Sequence, residues 1–167
     1  MKKLMVILLI VAAIPVMHSC EKVKDAGATS AVKIANEWWV TLDSVGIVDY
    51  YGIGHIKIST YNTAANNNDI WIDDFQSGYG FKAIATADYT NLTFSSGATS
   101  HNEYFEPGGI FAETVHITDG KIFSKTGHSK SGNVADSIHM KMEFSDSPGF
   151  IYEMNGVERT RFPEDDY

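Results

Sequence analysis

Ser137 and His139 are the two residues of this chain whose types and spacing best suit nucleophilic chemistry, and Asp136 directly precedes them. A serine hydrolase needs a nucleophile within hydrogen-bond reach of a base that an acid orients. Alternate residues of a strand share a face, so Ser137 and His139 would be neighbours about 7 Å apart. The same alternation sets them opposite the apolar Ile138 and Met140, and hence toward solvent. An exposed pair without a pocket is expected to be inert, so no catalytic residue is assigned.

The segment from Gly127 to Gly132 reads Gly-His-Ser-Lys-Ser-Gly and comes close to the Gly-x-Ser-x-Gly pattern of many hydrolases. That pattern works on a sharp turn between a strand and a helix, which presents the serine at the edge of a sheet. The surrounding sequence is polar and predicts no helix. We therefore interpret residues 127–132 as a flexible hairpin connection.

Metal-binding residues are scattered. The histidines beyond residue 19 are His55, His101, His116, His128 and His139. They form no pair at ligand spacing, so zinc is not expected, and no cofactor is predicted. The run Asn66–Asp69, followed by Asp73 and Asp74, offers oxygen ligands that suit calcium but lacks the glycine and terminal glutamate of an EF-hand loop. We interpret it as a polar turn before a strand, with calcium near Asp69, Asp73 and Asp74 left open.

The N-terminus predicts a membrane anchor. Two lysines precede an apolar run, Leu4–Met17, which is too short to span a bilayer core of about 30 Å, so residues 1–19 are interpreted as a signal peptide. Cys20, the only cysteine, stands directly behind this run with a small residue before it. This arrangement resembles the lipobox of bacterial lipoproteins, whose cysteine is lipidated. We expect an outer-membrane lipoprotein of the cell envelope, anchored to the membrane and not crossing it, with the surface and periplasmic faces both open.

The charge balance excludes one class of partner. The 167 residues carry a formal net charge of -8, and residues 1–19 contain two of the 13 basic residues and none of the 21 acidic ones. The chain from Cys20 onward therefore has a net charge of -10. Binding to a nucleic-acid backbone needs Lys or Arg at each phosphate contact, so a nucleic-acid partner is not expected. Residues 20–35 are small and polar and predict a flexible tether, which leaves residues 36–167 as one domain.

Residues 36–167 predict antiparallel strands. Period-two alternation is clearest at 137–144 and recurs at 55–59. Further strand candidates are 38–42, 70–73, 81–87, 92–95, 111–118, 121–124, 150–154 and 157–162. Asn155-Gly156 and Asp119-Gly120 each predict a tight hairpin turn, because both central residues of a type I′ turn need positive φ. About eight to ten short strands without a helical stripe predict an all-β fold, an up-and-down barrel in preference to a sandwich.

A barrel of this size has an interior that is filled by side chains or holds one small ligand. Ala83, Ala85 and Ala87 share one face of a predicted strand and leave space beside them. A neighbouring aromatic side chain or a ligand could occupy that space. The candidate ligand-binding residues are Trp38, Tyr61, Trp71, Phe81, Ala83, Ala85, Met140 and Met142.

Several stretches together resemble a known family. They are Glu37–Val40, Thr60–Ala65 leading to Ile70–Asp74, and Ala135–Ile138 followed by the acidic Arg159–Asp166. Over nearly all of residues 36–166 the chain resembles the Bacteroidetes lipoproteins called the lipid-binding putative hydrolase family, although glycine is expected where Arg161 stands. The resemblance implies a calycin-like (lipocalin-like) barrel on a lipid-anchored envelope protein, with a cavity for lipidic ligands.

The resulting hypothesis is a protein that binds a small hydrophobic or lipid-like molecule in its barrel. An ester or lipid hydrolase is the alternative from another class. A non-enzymatic accessory protein of an outer-membrane uptake complex, with envelope proteins as partners, is the third.

Overall fold

The computed structural model describes residues 28–44 and 46–167, so the predicted signal peptide and Cys20 lie outside the described residues. The described chain forms strands, loops and two short 3₁₀ helices, Ser30–Lys33 and Pro163–Asp165. Its strands are β1 (Asn36–Ser44), β2 (Ile56–Asn62), β3 (Asp69–Asp73), β4 (Lys82–Asp88), β5 (Thr93–Ser95), β6 (Ser100–His101), β7 (Thr114–His128), β8 (Val134–Phe144) and β9 (Tyr152–Glu158). The all-β prediction is confirmed.

The sheet closes on itself as an up-and-down barrel. Strands β1 to β5 pair in sequence, β9 pairs with both β1 and β8, and β8 pairs with β7. All of these pairs are antiparallel. Closure comes from β5 and β7, which pair at Thr93↔Lys121 and Phe94↔Gly120. Eight strands form the barrel, and β6 is an extra strand beside the start of β7. The predicted barrel is therefore confirmed over the sandwich.

The core lies inside this barrel, because apolar residues alternate along its strands. In β4 the alanines 83, 85 and 87 are buried while Ile84 and Thr86 are exposed. In β8 the predicted inward set of Ile138, Met140, Met142 and Phe144 is buried, with residues 139, 141 and 143 only partly so. The period-two alternation in the sequence thus places alternate residues on the inner wall and on the outer wall of the barrel.

The predicted hairpin turn at Asn155-Gly156 is wrong. Both residues lie within β9, where Gly156 pairs with Val40 on one side and Ile138 on the other. A Cβ atom on Gly156 would lie 2.0 Å from the Trp39 carbonyl oxygen. The glycine serves a close approach of two backbones, a role that a sequence does not distinguish from a turn. The two predicted strands 150–154 and 157–162 are consequently one strand, Tyr152–Glu158, and residues 159–162 lie outside it.

The predicted turn at Asp119-Gly120 is also wrong. The pairing of β7 with β8 shifts register between Thr118 and Lys121, which makes this dipeptide a bulge inside one long strand. Asp119 does adopt a positive φ of 52°. A Cβ atom on Gly120 would lie 2.3 Å from the Phe94 ring, so this glycine lets β5 close against β7. The predicted strands 111–118 and 121–124 therefore merge.

One end of the barrel, here called the helix end, is closed by the first 3₁₀ helix. Ala31 and Ile34 are fully buried there. The Thr60 hydroxyl donates to the Ile34 carbonyl oxygen and accepts a hydrogen bond from Trp38 Nε1 at 2.9 Å. The packed region thus begins near Ala31, a few residues before the predicted boundary at residue 36. At the opposite end, here called the aromatic end, the loops 46–55, 74–81, 102–113 and 145–151 come together.

Candidate functional site

Six of the eight candidate ligand-binding residues meet inside the barrel. Trp38, Phe81, Ala83, Ala85, Met140 and Met142 are each at most 1% exposed. They come from β1, β4, β8 and the loop before β4, which the closed sheet brings around one interior. The alternation of apolar residues was the signal that identified them.

Tyr61 and Trp71 lie on the outer wall instead. They pair with each other across β2 and β3, and both are only partly buried. The Lys82 ammonium lies 5.1 Å from the Trp71 ring centre and 5.8 Å from that of Tyr61. Because Ile70 and Ile72 are fully buried, Trp71 between them has to point outward. The alternation of apolar residues in the sequence already indicated this position. Tyr61 and Trp71 were predicted to lie in the interior only because they are aromatic, and that prediction is wrong.

The interior is filled by the protein's own side chains. Ala83, Ala85 and Ala87 are at most 3% exposed, so no water-sized space opens beside them. In the strand order, β4 and β9 are on opposite sides of the barrel. The alanine face of β4 is therefore opposite β9, which carries the buried Met154. Of the two possible occupants of the space beside the alanines, neighbouring side chains fill it here. A ligand could enter only if some of these side chains moved.

A group of stacked rings closes the aromatic end. Tyr79 stacks on Phe144 with ring centres 3.7 Å apart and contacts Tyr152 edge-on at 4.9 Å. Phe144 in turn contacts the fully buried Phe81 at 5.6 Å. We call Tyr79, Phe81, Phe144 and Tyr152 the aromatic plug. Its rings connect the loops at this end directly with the barrel interior.

Two phenol groups of the aromatic end, those of Tyr51 and Tyr79, have raised pKa values. Burial, together with a 2.6 Å hydrogen bond donated to Asp146, raises the pKa of Tyr79. The hydroxyls of Tyr51 and Tyr152 share a hydrogen bond of 3.1 Å, which with burial raises the pKa of Tyr51 to about 12. These two phenol groups therefore stay neutral.

Asp74 shapes the loop that carries Tyr79. Its carboxylate is fully buried and accepts backbone N–H bonds from Gln76, Gly80 and Phe81 at 2.9, 2.7 and 2.8 Å. Burial raises the pKa of Asp74, while these backbone bonds act in the opposite direction. Asp74, a calcium-ligand candidate in the sequence, thus fixes the conformation of the loop 74–81.

The other two calcium candidates also bind protein donors. Asp73 accepts hydrogen bonds from the Tyr104 and Tyr61 hydroxyls at 2.6 and 3.1 Å. Asp69 accepts from the Thr86 hydroxyl at 3.1 Å and from the Asn67 side-chain amide at 2.9 Å. Across residues 28–44 and 46–167, no group of three or more His, Cys, Asp or Glu is arranged to hold a metal ion.

Ser137 and His139 do not form a catalytic unit. Ser137 shares a 2.6 Å hydrogen bond with the Thr126 hydroxyl, and His139 Nδ1 shares one of 2.7 Å with Asn155 Oδ1. Asn155 in turn donates to Asp43 at 2.7 Å. The His139-Asn155-Asp43 chain on the outer wall was missed, because its members come from three strands far apart in sequence.

The loop 129–133 joins β7 to β8 as a hairpin connection, whereas Gly127 and His128 of the predicted connection 127–132 belong to β7 and pair with β8. Ser131 N–H donates to Asp165 at 2.7 Å, and the Thr160 hydroxyl donates to the same carboxylate at 2.7 Å. These bonds hold the pKa of Asp165 well below its usual range. The loop is thereby tied to the C-terminal segment.

A C-terminal clamp holds the last described residues against β1. Arg159 donates to Asp166 at 2.6 and 2.7 Å and to Glu37 at 2.9 Å, and its guanidinium carbon lies 5.8 Å from the Trp39 ring centre. Arg159 holds the pKa of both carboxyls below their usual values. We call Glu37, Arg159, Asp165 and Asp166 the C-terminal clamp. At the helix end, it fixes the C-terminal segment to β1.

An open cleft of about 660 Å³ lies over the seam between β4, β5 and β7. Its lining combines Phe94 and Ala87 with polar and charged side chains such as Asp88, Asp119 and Lys121. Six of its nine lining residues are polar or charged, and this mixed lining suits a lipid less well than the barrel interior does.

Two further observations bear on function. No helix among the described residues is both long and apolar enough to cross a membrane. A search of curated proteins finds no match to this chain.

A family model described as lipid-binding putative hydrolase matches residues 23–163. This range is most of the chain and includes every strand of the barrel. A closed barrel with an apolar interior fits a protein that binds a hydrophobic ligand. The chain belongs to the lipid-binding putative hydrolase family.

Proposed function

We propose that this protein is a lipid-anchored envelope protein that binds a small hydrophobic or lipid-like molecule inside its barrel, and that the ligand enters at the aromatic end. The observation that carries the proposal is the aromatic plug, which closes an apolar interior by ring contacts. Membership of a lipid-binding family supports the ligand class.

The two ends of the barrel differ in how they are closed. At the helix end, buried hydrogen bonds of Thr60 and the C-terminal clamp fix the backbone. At the aromatic end, Asp74 fixes the backbone of the loop that carries Tyr79, but the ring that covers the interior is held by its stacking on Phe144 and by one hydrogen bond to Asp146. An aromatic pair contributes about 0.5–1.5 kcal/mol beyond its buried area, so a ligand that buries its own apolar surface can displace one. The aromatic end is therefore the easier one to open.

The interior can adapt to a ligand once the plug moves. Met140 and Met154 pair across β8 and β9 and are fully buried, and Met142 is next to them on the same face. Methionine side chains are unbranched and have three rotatable bonds, so they repack around different shapes. The alanines on β4 leave the opposite wall free of bulky groups. An acyl chain would lie between these two walls after the methionine side chains have moved aside.

The envelope location is supported by the sequence of the N-terminus. A signal peptide over residues 1–19 followed by a lipidated Cys20 would attach the domain to a membrane by acyl chains. A ligand taken from or delivered to that membrane would be within reach of the barrel. We place the protein at the outer membrane and leave its face to experiment.

A hydrolase is the second candidate, and only the family description favours it. Esters of short and long acyl chains should not be turned over by the purified protein. Turnover that is abolished by Ser137→Ala or His139→Ala would overturn this expectation. Partner proteins in a pull-down together with an empty barrel would favour the accessory role in an uptake complex instead.

The binding proposal is tested with the full chain purified from membranes. Native mass spectrometry should detect a bound lipid or an added fatty acid. Ala85→Leu fills the interior and should abolish this binding, whereas Ile84→Phe on the outer wall should leave it unchanged, since these neighbours face opposite ways. Because Ala85→Leu overpacks the core at a cost of about 1–3 kcal/mol, the milder Ala83→Val is made beside it. Absence of binding by the unmodified protein, or equal binding by all variants, would reject an interior site.

A further inference from the structure

Exposed apolar residues are concentrated at the aromatic end. Of 14 exposed large hydrophobic residues in the described chain, eight lie in the loops of this end. They are Ile47, Val48, Tyr50, Tyr51, Ile53, Phe75, Ile110 and Ile151. We call them the apolar rim. Val48 and Ile110 are 71% and 87% exposed, far more than their own fold requires.

In the loop 46–54, which carries most of the rim, six of the nine backbone N–H groups are hydrogen-bonded, those of residues 47, 49, 50, 52, 53 and 54. The Asp49 carboxylate accepts N–H bonds from Ile53 and Gly54 at 2.9 and 3.0 Å. Tyr50 N–H donates to the Leu42 carbonyl oxygen and Gly52 N–H to that of Asp49. A loop with most of its N–H groups already bonded can leave water at a lower cost than an open one.

The rim is continuous with the aromatic plug. Tyr50 contacts Phe150 at 5.7 Å between ring centres, and Phe150 contacts Tyr152 at 4.7 Å. The rings of Tyr51 and Tyr152 are nearly parallel, and their centres are 6.3 Å apart. An unbroken series of rings thus leads from exposed side chains to the barrel interior.

We propose that the apolar rim inserts into the surface of the lipid bilayer that carries the Cys20 anchor, so that a lipid passes between bilayer and barrel without crossing water. This inference rests on the proposed function and adds the surface through which it operates. Tyrosines with Ile and Val at loop tips suit the interface between headgroups and acyl chains.

The chain between anchor and barrel is long enough for this contact. Ser30 is bonded to Asn66 at the helix end, so the barrel is tethered by the end opposite the rim. The nine residue steps from Cys20 to Thr29 can span at most about 32 Å. The eleven residues of β8 measure about 36 Å along the strand and about 28 Å along a barrel axis tilted by 40°. The barrel can therefore tip its rim onto the anchoring bilayer.

The charges near the rim select the lipid. One cation lies at the rim, because the Lys57 ammonium is 5.2 Å from the Phe75 ring centre. The loops of the aromatic end themselves contain no Lys or Arg, and their acidic residues are Asp49, Asp74, Glu103, Glu106, Glu113 and Asp146. An anionic bilayer would repel them, so the contact should favour zwitterionic headgroups and depend little on salt.

The inference is tested with the acylated full chain in phosphatidylcholine vesicles whose acyl chains carry bromine, a quencher of tryptophan fluorescence. Val48→Trp adds a reporter to the rim, and Val134→Trp adds a matched one at the helix end, where Val134 is 62% exposed. The unmodified protein corrects for Trp38, Trp39 and Trp71. Quenching of the added signal should be at least threefold stronger for Val48→Trp.

Equal quenching of the two variants, or none for Val48→Trp, would overturn the inference. Quenching that appears only when phosphatidylglycerol is added would overturn it too, because the acidic surroundings exclude that choice. If the protein forms a dimer that buries residue 48, and quenching is absent for that reason, the rim is an interface with a second copy and the inference is overturned. Lipid binding in native mass spectrometry is scored separately: a protein that binds lipid without rim quenching keeps the proposed function and loses the docking surface.

Discussion

At the scale of single residues, Arg161 stands in a conformation that its side chain disfavours. Its φ of 67° lies in the left-handed region, which glycine adopts without a steric cost. The family resemblance led us to expect glycine at this position, and the backbone retains the conformation that glycine would take. The arginine side chain is 67% exposed, and its contact with Glu37 is long, at 3.8 Å. The local strain is therefore poorly compensated.

Replacing Arg161 by glycine should stabilise the protein. Relief of the left-handed conformation is worth about 1 kcal/mol, and the exposed ion pair that is lost contributes little. Urea unfolding should show the gain for Arg161→Gly and no gain for Arg161→Ala, since alanine has the same steric conflict. Equal midpoints for the two variants would show that the backbone at 161 is not strained.

The C-terminal clamp should make stability depend on pH. The pKa values of Glu37, Asp165 and Asp166 lie below their ordinary values of about 4, so the folded state binds protons more weakly than the unfolded chain. Their contribution is present above pH 4 to 5 and is lost as the pH falls below it. Asp74 has a raised pKa, so its contribution has the opposite sign and declines as the pH rises above its ordinary value.

Thermal unfolding between pH 6 and pH 3 measures this dependence. The melting temperature should fall on acidification in the unmodified protein and fall less in Arg159→Gln, which removes the partner shared by Glu37 and Asp166. Arg161→Gln, at a neighbouring and exposed arginine, should leave the pH profile unchanged. Identical profiles for Arg159→Gln and the unmodified protein would exclude the clamp as the cause.

At the scale of elements, alternation of apolar residues predicted most of the strands but not their ends. Val134–Phe144 begins three residues before the predicted strand 137–144, and Lys82–Asp88 is shifted by one residue from the predicted strand 81–87. Asn-Gly and Asp-Gly mark turns by their tolerance of positive φ, and here the same glycines admit a neighbouring backbone or ring. A sequence contains the conformational preference of glycine but not the distance to the next strand. That distance decides between a turn and a continuous strand.

Gly120 should be the residue on which closure of the barrel depends most. A Cβ atom there meets the Phe94 ring at 2.3 Å and its carbonyl oxygen at 2.4 Å, and β5 and β7 are joined only by two residue pairs. Gly120→Ala should destabilise the protein by about 1–3 kcal/mol. Hydrogen exchange should rise in β5 and the facing part of β7.

Gly97→Ala is the matched control, because nothing lies within 4 Å of a Cβ atom at that position. It should leave both the unfolding midpoint and the exchange rates of β5 unchanged. A Gly120→Ala protein as stable as this control would mean that the seam accommodates a methyl group without opening.

At the scale of the whole molecule, fold and family could be predicted from the sequence, whereas the site could be predicted only in part. Interior residues such as Phe81 and Met140 follow from strand periodicity. The aromatic plug could not be predicted, because Tyr79, Phe144 and Tyr152 meet through the closure of the barrel and the hydrogen bonds of Asp74. The apolar rim lies in loops, where no periodicity indicates which residues are exposed.

The lipid anchor proposed at Cys20 is tested in cells. Cys20→Ser should move the protein from the membrane fraction to the soluble one or block processing of the signal peptide, because the acyl chains that hold it would be missing. Immunoblotting of fractionated cells gives the result. Protease added to intact cells should cut the segment before Ala31 if the domain faces outward and leave it intact if it faces the periplasm. Unchanged membrane association of Cys20→Ser would contradict lipidation at this residue.

The pairing of β1 with β9 has a consequence for how the chain is made. Thr41 and Asn155 are register partners separated by 114 residues. The first strand therefore lacks one of its two neighbours until the ninth has left the ribosome. Contacts over such separations form slowly, because a long loop must close first. The barrel therefore cannot close before β9 has been synthesised.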